Sequence, residues 1–481
     1  MNYRMVSYIL FYILKLEGMF MFLPCLIGLV YREYEQLLVY LVCALVCLFL
    51  GWIGTAKKPQ NMRIYQKEGF VGVALSWIVI SIFGAVPFAI TGEIPSFIDA
   101  LFEIVSGFTT TGSSILENVE LLTHTSLFWR SFSHWLGGMG VLVFALMIMP
   151  VNDGSHMNLM KAESPGPDVS KFVPKVRNTA IILYKIYIIM TLIQIGILLL
   201  SGMHWFDTIC ISLGTAGTGG FAILSTGCAS YTALQQWIIT IFMILFGVNF
   251  SFYYLILCKK LGMALRMEEV RKYIGIIIVS VAVITWNISD MYDGIAEALR
   301  QAAFQVGSII TTTGYATTDF NLWPSLSKTI LVVLMFCGAC AGSTGGGLKV
   351  SRVIILVKNI KREIYRAIYP RRIKTIRMDD KPISDSQRHS VTVYIVGFLL
   401  VYVVSLLIVS LDGFTFETNF TAVASTINNI GPAFGEIGPM GNFGAFSPLS
   451  KLVLIFDMLA GRLEIMPMLV LISPLVWRKR A

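Results

Sequence analysis

Charged side chains are scarce in this sequence: Asp, Glu, Lys and Arg make up only 14% of its 481 residues, while hydrophobic residues reach 56%. A soluble protein would carry about 25% charged residues. Long uncharged stretches recur at 36–56, 70–92, 131–152, 178–203, 234–257, 274–289, 329–348, 390–411 and 465–477. Most of them approach or exceed the roughly 20 residues with which a helix crosses a bilayer. The shortage of charge therefore excludes a soluble domain and predicts an all-α polytopic protein in a lipid bilayer.

Positive charge is nearly absent from alternate linkers between these stretches. The linkers 92–129, 204–233 and 412–450 contain no Lys or Arg. Basic clusters lie instead at 57–67, 161–177, 259–272, 349–388 and 478–480. Because positively charged loops stay in the cytoplasm, both termini are expected on that side. Membrane orientation then explains the net charge of +9, and no nucleic-acid partner is expected.

Groups that could carry enzyme chemistry are also few. The five histidines are scattered, without the spacing of a metal site: His124, His134, His156, His204 and His389. Cys337 and Cys340 have a spacing typical of redox or metal sites. They lie in an uncharged stretch with no nearby histidine, so we interpret them as packing residues. The sequence thus predicts no enzyme and no organic cofactor.

Four short polar strings rich in threonine and glycine interrupt the apolar sequence. They are string 1, FTTTGSS (108–114); string 2, GTAGTGGF (214–221); string 3, IITTTGYATTDF (309–320); and string 4, STINNIGPAF (425–434). The glycines taken to close them, Gly112, Gly219, Gly314 and Gly431, are 107, 95 and 117 residues apart. Each string follows an apolar span and a segment too short to cross a bilayer. A second apolar span comes after each string, at 127–150, 233–258, 327–348 and 450–477.

This order predicts a fourfold repeat of helix, half-helix, polar loop and helix around one central pore, preceded by two N-terminal transmembrane segments. The predicted boundaries are 1–68 for the N-terminal segments and 69–152, 153–260, 261–388 and 389–481 for pore repeats 1 to 4. We expect Ser96, Asp207 and Thr418 to act as N-caps of half-helices. A secondary transporter is a rival, but it would usually show two inverted halves and an intramembrane carboxylate.

The strings have the chemistry of a cation path. Non-helical backbone at membrane depth persists only where protein buries it or where it faces a water-filled path. Four such loops around one axis would present rings of carbonyl oxygens that replace the hydration shell of a monovalent cation. Their threonine–glycine cores hold no Asp or Glu, which disfavours Ca²⁺ and Mg²⁺. Four acidic residues just outside the cores either line an outer mouth or are solvated loop charges: Glu117, Glu120, Asp319 and Glu436.

The motifs together resemble those of a known family. FTTTGSS, GTGGF, TTTGYATTDF and NNIGPAFGEIGP, with CAGSTGGGLKVSR at 340–352 and DMLAGRLEIMP at 457–467, are similar to motifs of the Trk/Ktr/HKT superfamily of potassium transporters, and closely to its TrkH/TrkG branch. The resemblance covers essentially the whole chain. It implies potassium (K⁺) uptake, channel-like or as a symporter, by a homodimer in the bacterial cytoplasmic (inner) membrane. It also implies gating by a cytoplasmic nucleotide-binding, TrkA-like RCK subunit.

The resemblance also implies which residues form the filter and the gate. The K⁺ filter would consist of Thr110, Thr111, Gly112, Thr218, Gly219, Gly220, Thr312, Thr313, Gly314, Asn429, Ile430 and Gly431. The intramembrane gate would consist of Gly342, Ser343, Thr344, Gly345, Gly346 and Gly347. Consecutive glycines hold a helix poorly, so this run should unwind. It is not a phosphate-binding loop, because Leu348 stands where that motif needs lysine. The alternative to a gate is a plain kink.

Arg462 lies near the middle of the last apolar segment. A charge at that depth is costly and should face the pore or a partner. The resemblance implies that Arg462 forms a positive barrier to ion flow beneath the filter. The alternative is a structural ion pair with Asp457 or Glu464.

Overall fold

The computed structural model describes residues 1–61, 63–140, 176–372, 375–379 and 381–478. Within these residues, six helices are long and apolar enough to cross a membrane: Tyr3–Tyr31, Tyr34–Thr55, Gln66–Thr91, Ala180–Leu200, Glu268–Met291 and Asp385–Asp412. A seventh span results if the bent pair Ala233–Phe246 and Phe250–Leu257, which meet at 89°, is counted as one. The all-α membrane architecture predicted from the composition is confirmed.

Three helices form the N-terminal part of the molecule: Tyr3–Phe20 and Phe22–Tyr31, which together make up the first span, and Tyr34–Thr55. The third helix approaches the first closely because glycines face it. A Cβ atom on Gly54 would lie 2.0 Å from the ring of Phe11, and one on Gly51 would lie 2.6 Å from the Cβ of Lys15. Neither position therefore accepts a side chain without moving the two helices apart.

The same order of elements occurs four times in the described chain. A long helix comes first: Gln66–Thr91, Val176–Leu200, Glu268–Ile288 and Asp385–Val409. Half-helices 1 to 4 follow: Phe97–Phe108, Trp205–Gly217, Ile295–Ile310 and Phe416–Ile427. After each string comes a second short helix: His124–Gly138, Ala233–Phe246, Ser325–Cys337 and Pro448–Arg462.

One of the three predicted N-caps is right. The Ser96 hydroxyl accepts the backbone N–H of Asp99 at 3.4 Å. Half-helices 2 and 4 begin at Trp205 and Phe416, before the caps predicted for them, so Asp207 and Thr418 lie inside the helices. Thr415 caps half-helix 4 instead, because its hydroxyl accepts the N–H of Thr418 at 3.3 Å.

The second helices are shorter than the sequence predicts. Full spans are expected over 233–258, 327–348 and 450–477, but the helices that begin there contain only 13–15 residues. Glycines explain where they end: a Cβ on Gly461 would lie 2.1 Å from the carbonyl oxygen of Ile427, at the end of half-helix 4. The backbone presses directly on the half-helix there, and the chain turns away.

Helix His124–Gly138 ends in the same way as the helix that ends at Arg462. A Cβ on Gly137 would lie 1.8 Å from the carbonyl oxygen of Phe108, which ends half-helix 1. The rest of the predicted span 127–150, the repeat boundary at 152 and most of the basic cluster 161–177 lie outside the described residues. So do Lys479 and Arg480 of the C-terminal cluster.

Clusters of buried hydrophobic side chains pack against the half-helices. The largest hydrophobic cluster joins the N-terminal helices to half-helices 1 and 4, and a second surrounds half-helix 3. The remaining helices among the described residues are Phe250–Leu257, Leu261–Arg266, Val350–Ile368, Met466–Ile472 and Pro474–Trp477. Short 3₁₀ turns lie at Val119–Leu121, Ser289–Met291, Phe320–Leu322, Ser410–Asp412 and Gly435–Ile437. Strands Arg377–Met378 and Lys381–Pro382 form an antiparallel hairpin, with Arg377 opposite Pro382.

Candidate functional site

All four half-helices end in the same backbone turn. Each string has a left-handed residue one or two positions after the end of its helix, with φ between 54° and 58°: Thr110, Thr218, Thr312 and Asn429. The next N–H donates to the carbonyl five residues back at 2.8–2.9 Å: Thr111 to Ser106, Gly219 to Gly214, Thr313 to Ser308 and Ile430 to Ser425. These bonds satisfy carbonyls that the end of a helix leaves unpaired. The four strings therefore share one conformation and one register.

The glycine that closes string 2 is Gly220, and the predicted Gly219 is one position too early. A second residue with positive φ lies two positions after the first in every string: Gly112 (80°), Gly220 (80°), Gly314 (85°) and Gly431 (105°). Gly219 instead occupies the position that Thr111 has in string 1, as its hydrogen bond to Gly214 indicates. The sequence cannot reveal this register, because string 2 has glycine at both positions.

The four strings touch one another in a closed ring. The closing glycine of each string lies against a backbone carbonyl oxygen of the next string. That oxygen belongs to the residue just before the next closing glycine. A Cβ atom on the glycine would approach that oxygen to 2.0 Å for Gly112 against Gly219, 1.9 Å for Gly220 against Thr313, 1.9 Å for Gly314 against Ile430 and 2.8 Å for Gly431 against Thr111. The strings thus contact one another in chain order, and string 4 returns to string 1. Because real Cβ atoms do not approach a neighbour this closely, the ring requires glycine at all four positions.

Strings 1 and 3 also have paired threonines beside the turn. The hydroxyls of Thr109 and Thr111 are 2.8 Å apart, and those of Thr311 and Thr313 are 2.7 Å apart. Thr109 in turn donates to the carbonyl of Val105 at 2.6 Å. Each pair therefore fastens its string to the last turn of its own half-helix. Strings 2 and 4 lack such pairs, because Gly217 and Gly219, or Asn428 and Ile430, stand at these positions.

A cavity lies on the side of the ring where the chain leaves the four strings. Its wall includes all four closing glycines and the residues that follow them, Ser113, Phe221, Tyr315 and Pro432. Of the acidic residues predicted at the mouth, Glu117 lines this cavity. Glu120 instead accepts the N–H of Ser225 at 3.0 Å, and Asp319 caps the turn that begins at Phe320. Glu436 is exposed and lies outside the wall.

A buried ion pair behind strings 1 and 2 was not predicted from the sequence. Glu103 and Arg130 are 0% and 2% exposed and lie 2.7 Å apart. Glu103 also accepts the hydroxyl of Ser114 and the N–H of Ile115, both at 3.0 Å. The pair therefore fixes the segment that leaves string 1. An acid in the otherwise uncharged second half of half-helix 1 and a lone arginine before an uncharged stretch were the available signals.

The glycine-rich run lies directly beneath strings 3 and 4. It belongs to a longer non-helical segment between Cys337 and Val350. The N–H of Gly346 donates to the Thr312 hydroxyl at 2.6 Å. A Cβ on Gly345 would lie 2.8 Å from the carbonyl oxygen of Thr311, and one on Gly346 would lie 2.7 Å from that of Asn428. The run thus contacts the inner ends of two strings.

One buried carboxylate binds the backbone on both sides of the glycine-rich run. Oε1 of Glu269 accepts the N–H of Ala341 at 2.7 Å and the N–H of Ser351 at 3.1 Å. Glu269 is 4% exposed and belongs to the first turn of helix Glu268–Ile288. Within the segment, the Lys349 ammonium donates to the Gly345 carbonyl. The position of the run is therefore set by the long helix beside it.

Arg462 lies beneath string 1, at the C-terminal end of its helix. Its guanidinium donates to the Thr110 hydroxyl at 3.3 Å and to the Thr344 carbonyl at 2.9 Å. It also donates to the carbonyls of Gly137 and Gly138, the latter at 2.7 Å. Arg462 therefore connects string 1, the glycine-rich run and helix His124–Gly138.

The two carboxylates considered as ion-pair partners of Arg462 have other contacts. Asp457 accepts the Ser405 hydroxyl at 2.7 Å. Glu464 forms a buried ion pair with Arg352, whose guanidinium also lies 4.0 Å from the centre of the Tyr394 ring. Among the described residues, no group of three or more His, Cys, Asp or Glu could hold a metal ion. The oxygens that the strings bring together are backbone carbonyls and threonine hydroxyls, which are neutral.

Known proteins resemble this chain over its whole length. The family model TrkH, described as a cation transport protein, matches residues 41–478. The Trk system potassium uptake protein TrkH of Salmonella typhimurium is 34% identical, with all of both chains covered. The Trk system potassium uptake protein TrkG of Escherichia coli is 31% identical over 99% of both chains. The crystal structure of the potassium transporter TrkH from Vibrio parahaemolyticus superposes with a TM-score of 0.88 at 31% identity, covering 99% of this chain and 100% of that one.

These matches confirm the resemblance inferred from the motifs, and they concern a family of transporters, not of enzymes. The helical structure with its apolar spans agrees with a membrane setting. The chain belongs to the TrkH family of cation transport proteins.

Proposed function

We propose that this chain takes up potassium across the bacterial cytoplasmic membrane through one pore on the axis of the four strings. The observation that carries this proposal is the closed ring of backbone contacts between closing glycines and neighbouring carbonyls. Such a ring provides non-helical backbone that is buried in protein around an axis, as a selectivity filter requires. The names of the relatives, Trk system potassium uptake proteins, support potassium as the ion.

The filter of this proposal consists of the left-handed residue, the next residue and the closing glycine of each string. Its members are Thr110, Thr111, Gly112, Thr218, Gly219, Gly220, Thr312, Thr313, Gly314, Asn429, Ile430 and Gly431. Their carbonyl oxygens replace the hydration shell of the ion, and neutral ligands suit a monovalent cation. The four half-helices end at the ring, so the partial negative charge of each C-terminus lies close to the ion.

The gate of this proposal is the run Gly342–Gly347. Two contacts support it: Gly346 donates to Thr312, and Arg462 donates to the carbonyl of Thr344. These contacts support a gate next to the filter, where an ion that leaves the ring inward would meet both the run and the guanidinium of Arg462. Opening requires the run to move away from strings 3 and 4. Helix Val350–Ile368 begins directly after this segment, which makes it the element through which a regulatory subunit acts.

Arg462 is the electrostatic barrier in this scheme. Two unit charges 4 Å apart interact by about 4 kcal/mol at an effective dielectric constant of 20. A guanidinium 3.3 Å from the hydroxyl of a filter threonine therefore opposes the entry of a cation strongly while the gate is closed.

The oligomeric assembly of this proposal is the one that the resemblance to the family implies. We propose a homodimer with one pore per protomer, both termini in the cytoplasm and a cytoplasmic TrkA-like RCK regulatory subunit. The word "system" in the names of the relatives supports a second component. The chain would divide into N-terminal helices over 1–68 and pore repeats at 69–152, 153–260, 261–388 and 389–481. Channel-like conduction and ion-coupled symport both fit this arrangement.

Reconstitution tests the proposal. The purified protein in liposomes should conduct K⁺ and discriminate against Na⁺, as measured by reversal potentials in mixed gradients. Folded protein that conducts neither ion, with or without its regulatory subunit, or that conducts both equally, would contradict a potassium filter in this ring.

A further inference from the structure

String 2 differs from strings 1 and 3 in having no side chains beside its turn. In strings 1 and 3, a threonine on each side of the left-handed residue forms the hydroxyl pairs that fasten the loop. The equivalent positions of string 2 are Gly217 and Gly219. Glycine loses more conformational freedom on ordering than any other residue. String 2 therefore needs contacts from side chains outside the string.

The imidazole of His134 fills the vacant space. The three atoms nearest to a Cβ on Gly219 all belong to this ring, two of them at 2.2 Å. A Cβ on Gly217 would lie 2.2 Å from the backbone carbonyl oxygen of His134 and 3.2 Å from its Cβ. His134 is completely buried and belongs to helix His124–Gly138. Both glycines are therefore explained by a residue that lies 83 and 85 positions earlier in the chain.

The ring also makes two directed hydrogen bonds. Nδ1 lies 2.8 Å from the carbonyl oxygen of Gly107, and Nε2 accepts the backbone N–H of Phe221 at 3.2 Å. Because a carbonyl only accepts and an N–H only donates, the proton is on Nδ1 and the neutral imidazole has one tautomer. One partner is in the last turn of half-helix 1 and the other directly follows Gly220. His134 thus links the end of half-helix 1, from which string 1 begins, to the backbone of string 2.

We infer that His134 is a positioning residue of the filter: it takes the place behind string 2 that paired threonines take in strings 1 and 3, and so sets the discrimination between K⁺ and Na⁺. This inference rests on the proposed function of the ring. It assigns selectivity to a residue that contributes no atom to the ring itself.

The first experiment removes the hydrogen bonds but keeps an apolar side chain. In His134→Leu the Phe221 N–H loses its acceptor, and string 2 is free to shift. The permeability ratio of K⁺ over Na⁺ should fall about tenfold, which corresponds to ~1.4 kcal/mol. His134→Gln, which can donate and accept, should recover part of this loss.

The control is Trp129→Phe in the same helix. Trp129 is also completely buried, donates to the carbonyl of Gly84 at 3.1 Å and packs edge-on against Phe108 at the end of half-helix 1, where the variant keeps an aromatic ring. This variant should lower thermal stability and leave the permeability ratio within about twofold of wild type, since no filter contact changes.

A second pair of variants tests the exchange of side chains. Gly219→Thr alone should impair folding or selectivity, because the threonine overlaps the imidazole. Adding His134→Ala removes the overlap and gives string 2 the threonine of strings 1 and 3, so selectivity should improve over the single variant. This pair of variants still tests the inference if His134→Leu does not fold.

The outcomes separate the inference from the proposed function. Wild-type protein is measured first, and failure to discriminate K⁺ from Na⁺ overturns the proposed function itself. If wild type discriminates, the inference is overturned by a folded His134→Leu with an unchanged ratio. It is equally overturned if Trp129→Phe lowers the ratio as much, or if His134→Ala brings no improvement to Gly219→Thr.

Discussion

Gly220→Ala tests the ring of strings most directly. The substitution adds one methyl group at a position with φ of 80°, where a Cβ would lie 1.9 Å from the Thr313 carbonyl oxygen. The backbone conformation alone costs about 1–2 kcal/mol for a residue other than glycine. The overlap adds to this, because ordinary contacts begin at 3.4 Å and neither partner is a flexible side chain. Strings 2 and 3 must therefore separate by about 1.5 Å, from 1.9 Å to an ordinary contact.

The matched control is Gly202→Ala. Gly202 has φ of 82°, nearly the same as Gly220, but nothing lies within 4 Å of its Cβ position. It measures the backbone penalty without any change in the ring. Thermal unfolding of both variants, with reversal potentials in K⁺ and Na⁺, separates the two contributions.

We expect both variants to lose stability and only Gly220→Ala to lose selectivity, by about tenfold or more in the permeability ratio. A tenfold change needs only ~1.4 kcal/mol, less than the overlap is expected to cost. Gly112→Ser and Gly314→Ser should act in the same direction, since their Cβ atoms would meet the next string at 2.0 and 1.9 Å. Wild-type selectivity in a folded Gly220→Ala protein would refute the assignment of the filter to this ring.

Three further changes have defined outcomes. Deleting part of 343–347 should raise K⁺ flux and weaken its dependence on a cytoplasmic subunit, whereas unchanged regulated flux would reduce the run to a kink. Arg462→Ala should raise flux per folded molecule without altering the permeability ratio, because the positive charge next to the filter disappears and the filter carbonyls stay. A structural ion pair would instead predict a destabilisation of roughly 3–5 kcal/mol with no gain in flux. Since Arg462 also donates hydrogen bonds to Thr110, Thr344 and Gly138, stability falls in both cases, and the flux per folded molecule distinguishes the two. Burial raises the pKa of Glu33, but hydrogen bonds from Thr125 and His124 outweigh it and hold the pKa below its ordinary value. The stability that Glu33 contributes is therefore present above its unfolded pKa of about 4.3 and is lost as the pH falls through the lower folded value. The melting temperatures of wild type and Glu33→Gln should therefore converge in acid. A difference that stays constant with pH would contradict this role.

The contacts of Glu33 also give the N-terminal helices a structural role. Its two carboxylate oxygens accept the N–H groups of His124 and Thr125, each at 2.9 Å. A carboxylate is favourable at the N-terminus of a helix. A second carboxylate, Glu93, accepts the N–H and the hydroxyl of Thr123 at 2.9 and 2.8 Å. The outer end of the helix that carries His134 is thus fixed from two sides.

The sequence predicts those features that depend on local chemistry. Scarce charge and long apolar stretches predict the helical membrane fold, and the threonine–glycine strings predict where helices stop. The unwound run at 342–347 follows from its glycines. Each of these patterns is carried by residues close together in the chain, so one sequence suffices to read them.

The sequence does not predict features that depend on contacts between distant segments. The register of string 2 is ambiguous from its letters alone, and only the hydrogen bond from Gly219 to Gly214 resolves it. Glu269 and Arg130 read as ordinary charges until their partners are known. The second helices end where glycines such as Gly461 contact a half-helix. The apolar sequence continues past these points, so it does not reveal where the helices end.

The ring of strings has a consequence for how such a protein can diverge. In an assembly of four identical chains, one codon changes all four sides of the axis at once. Here a single gene encodes the four sides separately, so one codon alters one quarter of the ring. Strings 2 and 4 already differ from strings 1 and 3 beside the turn, while the backbone angles remain alike. Substitutions can therefore change one string of the ring at a time. Three strings stay constant while the fourth acquires a new supporting side chain or a new ion preference.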